Sequence, residues 1–63
     1  MTVSAEIVTK SHLNDAMLEL QMGMEKQAMT RLNFVKYLIH ILEGDLTGDI
    51  DPKEMFDTFL SEK

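Results

Sequence analysis

The 63-residue sequence contains no cysteine and no tryptophan, and it has one proline and three glycines. Without cysteine the chain has no disulfide bonds and no thiolate zinc sites, and nothing indicates an oxidising compartment. A chain of this length forms at most one domain and buries too little apolar surface to be comfortably stable alone. Because 44% of the residues are hydrophobic and six are methionines, the sequence predicts self-association as a homodimer.

Long hydrophobic runs are also absent. Lys36 and His40 interrupt the longest one, which falls short of the roughly 18 apolar residues needed to cross a bilayer. The N-terminus lacks the apolar core of a signal peptide. The sequence therefore predicts a cytoplasmic protein without membrane association.

Basic residues become scarce toward the C-terminus. The charges of residues 1–42 sum to zero, whereas residues 43–63 hold seven acidic residues and two lysines, which account for the whole net charge of −5. An acidic end repels nucleic-acid phosphates and attracts cations or a basic protein surface. It can also simply keep the protein in solution. We therefore expect no direct nucleic-acid binding.

The most apolar stretch is 32–42, in which eight of eleven positions are apolar. The preceding segment has its main apolar positions at spacings of three and four, which is typical of an amphipathic helix. These positions are Leu13, Ala16, Met17, Leu20, Met24 and Ala28. A thinner second stripe contains Leu18, Met22 and Met29, and a helix that is apolar on two faces usually contacts two neighbours.

These patterns predict an all-α, three-helix domain with helices at about 11–29, 31–43 and 52–61. Residues 1–10 are predicted to be a flexible N-terminal arm and 11–63 a single helical domain, starting with a cap at Ser11. The junction of the first two helices stays open: a break at Gly23, a break near Thr30, or one long helix. The third helix has a strong start, because Asp51 can cap it and Pro52 suits its first turn.

The segment 43–54 is the only stretch with motif content. It has Asp45 at its third position, Gly48 at its sixth, Ile50 at its eighth and Glu54 at its twelfth. This pattern resembles the calcium loop of the EF-hand family, which needs a glycine for a sharp turn and a bidentate acid at its end. The resemblance implies a calcium site with the candidate ligands Glu43, Asp45, Thr47, Asp49 and Glu54.

The segment departs from the family at ligand positions. Glu43 stands where an aspartate is usual, Thr47 is a neutral ligand, and EF-hands work in pairs whereas this chain has one candidate. The alternative is a plain helix-loop-helix in which Gly48 is a loop glycine and Asp51 and Glu54 cap a new helix. Calcium is the one cofactor that the sequence suggests.

Other chemical groupings are thinner. His40 and Glu43 lie three residues apart and could share zinc with His12, but two histidines and no cysteine make a poor zinc set. Ser11, His12 and Asp15 are residue types of a hydrolytic triad, yet neighbours on one helical turn cannot adopt its geometry. With no phosphate-binding loop and little room for a pocket, we expect no enzymatic activity.

The sequence instead favours a small regulator, adaptor or inhibitor that binds a protein with a basic surface. The predicted contacts are the stripe Leu18, Met22 and Met29 and the acidic residues Asp49, Asp51 and Asp57, supported by Asp45 and Glu54. A sharper version is an inhibitor whose acidic end imitates nucleic-acid phosphates. The methionines can also be ordinary core filling, since their side chains adapt to irregular space.

Overall fold

The computed structural model describes residues 1–62 and is 71% helical. Its elements are β1 (Val3–Ser4), α1 (Ala5–Gln21), α2 (Glu25–Ile41), β2 (Asp49–Ile50) and α3 (Pro52–Ser61). The predicted three-helix architecture is confirmed, and the two short strands form an antiparallel pair in which Val3 lies opposite Ile50. Within residues 1–62, none of the helices combines the length and the apolarity needed to span a bilayer.

The predicted start of the first helix at Ser11 is wrong, because α1 begins six residues earlier, at Ala5. Ser4 is the N-cap, and its hydroxyl accepts a hydrogen bond from the Ile7 amide at 3.5 Å. The Ala5 amide donates to the Gly48 carbonyl at 2.9 Å and so ties the first turn to the loop before α3. Residues 3–10, predicted as part of a flexible arm, are therefore strand and helix in the structure, because Ala5 and Val8 find buried positions there.

The chain reverses over residues 22–24. Gly23 has a φ of +79°, its amide donates to the Leu20 carbonyl, and the Met24 amide donates to the Glu19 carbonyl. This is the Schellman arrangement that ends helices at glycine. Of the three arrangements predicted for the first two helices, the break at Gly23 is confirmed. The predicted helix bounds at 29 and 31 are wrong, because Thr30 lies inside α2, where its hydroxyl donates to the Lys26 carbonyl.

Replacing Gly23 by alanine is expected to lower the free energy of unfolding by about 1 kcal/mol, because an L-residue is strained at positive φ. No atom lies within 4 Å of the added methyl group, so the cost comes from the backbone alone. Gly48→Ala is the matched control, since it meets equally open space and has no positive φ. Urea unfolding of both variants measures the difference, and equal losses would show that the turn is not strained.

The core is centred on α2, where Phe34 and Leu38 are fully buried. Phe56 and Phe59 of α3 pack on Phe34, with ring centroids 5.0 and 5.5 Å away. This confirms the prediction that α3 packs back on the central helix. Burial of these rings supplies much of the apolar contact available to so small a domain.

The main apolar face predicted for α1 is only partly buried. Ala16 and Ala28 are inside, but Met17 and Leu20 are exposed. The inward line of α1 instead runs through Ala5 and Val8 to Ala16 and contains polar residues. Leu13, Met17 and Leu20 belong to the predicted apolar face but are exposed in the single chain, because polar residues of α1 take the side that faces α2.

Candidate functional site

A cluster of four polar side chains lies between α1 and α2. The Arg31 guanidinium is its centre: Nε donates to Glu19 Oε1 at 2.8 Å, and Nη1 lies 3.2 Å from His12 Nδ1 and 3.5 Å from Asp15 Oδ2. The Glu19 side chain is 13% exposed and that of Arg31 is 32% exposed. One cation and two carboxylates thus lie together, with Glu19 mostly buried and Asp15 half exposed. We call this group the Arg31 cluster.

Helical spacing explains how α1 supplies three members. His12, Asp15 and Glu19 follow one another at steps of three and four, so they project from one side of the helix. That side faces α2, and Arg31 lies in the second turn of α2. Burying carboxylates there without a cation would be costly, and Arg31 removes much of that cost through charge-assisted hydrogen bonds.

Sequence reasoning noticed His12 and Asp15 but not the cluster, and it missed Glu19 and Arg31 as members. Polar residues on a helix normally face water, so the pattern alone assigned the opposite face to the core. The available signal was the run of three polar residues at helical spacing beside buried alanines. It becomes informative only once the turn at Gly23 brings Arg31 across from α1.

The His12 ring is held by aromatic neighbours. It lies edge-on to Phe34 with centroids 4.9 Å apart and is stacked over Phe56 at 6.4 Å. Burial lowers the pKa of His12, and the Arg31 guanidinium lowers this pKa further, against the opposing effect of Asp15 and Glu19. The neutral form of His12 is therefore favoured, and its Nδ1 can accept a hydrogen bond from Arg31 Nη1.

This lowered pKa of His12 predicts a loss of stability in mild acid. The unfolded chain has an ordinary histidine pKa of about 6.5 and binds the proton more readily than the folded chain. The stabilising contribution is thus fully present above that pH and is lost as the pH falls through the lower pKa of the folded state. Thermal melts from neutral to mildly acidic pH should show this fall, and His12→Gln should flatten it.

His40→Gln is the matched control, because His40 is exposed near the end of α2. We expect its melting temperature to follow pH as the wild type does. If His12→Gln and the wild type lose stability equally on acidification, the account of a desolvated neutral imidazole is wrong.

An open groove of about 380 Å³ lies over the Arg31 cluster. It is lined by His12, Glu19, Gln27, Thr30, Arg31 and Phe56. The rings can stack on a planar or apolar group, and the amide, hydroxyl and guanidinium groups can form hydrogen bonds. In residues 1–62, no group of three or more histidine, aspartate or glutamate side chains is arranged to hold a metal ion.

The predicted contact stripe is exposed but not continuous. Leu18, Met22 and Met29 are 56%, 72% and 53% exposed. Leu18 lies in α1, Met22 caps its C-terminus, and Met29 lies in α2 beyond the reversal. The three side chains therefore surround the turn end of the helical hairpin and do not form one stripe. Their part in partner binding stays a prediction.

The acidic segment uses two of its carboxylates locally. Asp51 Oδ1 accepts hydrogen bonds from the amides of Lys53 and Glu54 at 3.2 and 3.3 Å, which confirms it as the cap of α3. Asp45 Oδ1 accepts from the Thr47 hydroxyl and amide, and these hydrogen bonds lower the pKa of Asp45. Asp49, Glu54 and Asp57 are exposed.

These local bonds suit the alternative of an ordinary helix-loop-helix, and calcium binding stays a prediction. A calcium-dependent rise in melting temperature that Glu54→Gln removes would establish it, since a ligand that binds the folded state stabilises that state. No change at millimolar calcium would exclude it.

No protein-family model matches the sequence, and comparisons with curated proteins and with solved structures find no significant match.

Proposed function

We propose that this protein is a small non-enzymatic regulator or adaptor that acts in the cytoplasm, as a homodimer, by binding another protein. The supporting observation is the number of large apolar side chains that are exposed on the surface. Of the twelve large hydrophobic residues exposed in the described chain, seven lie between positions 13 and 29. Exposed apolar side chains gathered in one part of a small domain usually mark an interaction site.

The turn end of the hairpin is the proposed contact for the partner. Met22 lies in the reversal, Met29 follows it in α2, and Leu18 lies one turn before Met22 in α1. Methionine conforms to irregular surfaces, because its side chain is unbranched and polarizable. The three side chains are exposed around a short turn, so they can contact a shallow apolar groove on the partner.

The acidic C-terminal region is proposed to orient the complex. Asp49 and Asp57 are exposed, and Asp51 adds its charge while it caps α3. Complementary charges raise association rates and select partners, with an effect that weakens as salt screens them. The partner is therefore expected to present lysine and arginine residues beside its apolar groove. An inhibitor that occupies a basic nucleic-acid groove is a special case of this proposal.

The test compares Met22→Glu with Ile41→Glu, which places the same charge at an exposed apolar residue at the other end of α2. A partner isolated with the wild-type chain is purified and titrated with all three proteins. We expect Met22→Glu to weaken binding about tenfold or more, as loss of an apolar anchor does, and Ile41→Glu to bind nearly as the wild type. Equal affinity of all three proteins would refute the proposed surface.

A further inference from the structure

A second apolar surface lies on the side of the hairpin that α3 does not cover. It contains Leu13, Met17 and Leu20 on α1 and Leu32 and Ile39 on α2, and we call it the rear face. Leu32 is half-buried and the other four residues are exposed. We propose that the rear face docks on the rear face of a second copy of this chain, in an antiparallel arrangement about a two-fold axis. The inference names the surface of the self-association proposed above and rests on it.

Helical geometry places these residues together. The His12 and Phe34 rings meet the phenylalanines of α3, so they mark the side that α3 covers. At about 100° per residue, the three α1 residues are rotated about 80–140° from His12. Leu32 and Ile39 are rotated about 140–160° from Phe34 in the same sense. In an antiparallel helix pair, rotations of the same sense along each chain move residues toward the same side of the pair, so we place the five residues on one surface.

The chain exposes more surface than is usual for a folded monomer of its mass. The chain exposes 4607 Å², whereas a folded monomer of its mass is expected to expose about 4,100 Å². Covering the excess of about 500 Å² on each of two copies buries about 1,000 Å² in all, which is where specific interfaces begin. A pair of two-helix faces joined in this way forms a four-helix layer.

Charge favours a second copy as the occupant and an antiparallel orientation. The loop after α2 carries the acidic residues and lies at the open end of the hairpin, where the Ala5 amide meets Gly48. The opposite end, residues 22–24, is uncharged. An antiparallel pair keeps the two acidic loops apart, whereas a parallel pair would bring them together and repel.

Two charged residues beside the rear face are placed to form ion pairs between the two copies. Glu25 and Lys36 project near it from α2, and neither takes part in an ion pair within residues 1–62. They lie about 16 Å apart along the helix axis. A two-fold axis midway between them brings Glu25 of one copy to Lys36 of the other, twice in each dimer.

Sedimentation equilibrium of the full chain and of Met17→Glu and Leu18→Glu tests the proposed face. Met17 and Leu18 are adjacent, lie in the same helix, and are 61% and 56% exposed, but only Met17 belongs to the rear face. This experiment contains no partner protein, so the proposed contact of Leu18 with a partner does not affect the result. We expect dimers for the wild type and Leu18→Glu, and dimerisation weakened about tenfold or more for Met17→Glu, with unchanged helicity by circular dichroism.

Dimerisation of Met17→Glu as strong as that of the wild type would overturn the proposed face while leaving self-association intact, as would equal weakening by Leu18→Glu. A wild-type chain that stays monomeric would overturn both. For orientation, Lys36→Glu should weaken dimerisation about fivefold through two ion pairs. Adding Glu25→Lys to the same chain should restore it, and a double variant as weak as the single one would refute the antiparallel arrangement.

Discussion

Phe34→Ala is expected to lower the free energy of unfolding by about 3–5 kcal/mol, the usual cost of removing a buried aromatic ring. Phe34 is fully buried, and four ring systems surround it: His12, Tyr37, Phe56 and Phe59. Its loss removes ring contacts to all three helices. Because small domains have only about 5 kcal/mol or a little more in total, the variant should be largely unfolded at room temperature.

Urea unfolding followed by circular dichroism measures this effect at one fixed protein concentration, since self-association adds to apparent stability. Ile7→Ala is the control truncation, because Ile7 is exposed on α1, and it should change the free energy by less than about 0.5 kcal/mol. A loss below about 1 kcal/mol for Phe34→Ala would mean that α3 does not pack on α2 as described.

Arg31→Met is expected to cost about 2 kcal/mol, because it leaves the mostly buried Glu19 carboxylate without its cation. The Glu19 pair is the short one at 2.8 Å, and Asp15 and His12 lose their contacts with Arg31 as well. The expected loss is below that of a fully buried pair, since part of the guanidinium reaches water.

Adding Glu19→Gln to Arg31→Met should recover part of the loss, because no uncompensated charge then remains at that position. Lys10→Met is the control, since its pair with Glu6 is well exposed on both sides and water screens such pairs. If Arg31→Met and Lys10→Met have equal small effects in urea unfolding, the Arg31 cluster does not stabilise the fold.

Helix α3 shows what the sequence can predict. Its start depends on Asp51 and Pro52, whose preferences for the cap and the first turn come from local geometry and need no knowledge of the rest of the chain. Its apolar residues then select one face, and that face meets α2. The bounds predicted at 52–61 agree with the observed Pro52–Ser61.

Helix α1 shows where sequence reasoning fails. One side of this helix is mainly apolar and another contains His12, Asp15 and Glu19. The hydrophobic pattern favours the apolar side as the buried one. The structure buries the other side, because Arg31 compensates the carboxylates there and the small Ala16 lets the two helices lie close together. The choice depends on a residue in another helix, so no pattern within α1 could reveal it.

The candidate surfaces were also predictable only in part. Exposure of Met22 and Met29 was predictable, because they lie off the main apolar face, but their position at a turn required the break at Gly23. The α1 part of the rear face belongs to the main apolar face predicted from the sequence, and it is left uncovered when one chain folds alone. The hydrophobic pattern that misplaced Leu13, Met17 and Leu20 is explained if a second copy covers them.

The molecular mass of the wild-type protein in solution tests this account most directly. Sedimentation equilibrium over about a hundredfold range of concentration should give a mass that rises from that of one chain, 7.2 kDa, toward twice that value. A mass that stays at 7.2 kDa throughout, for a folded and cooperatively melting protein, would contradict it. A domain with its rear face open would then be stable alone.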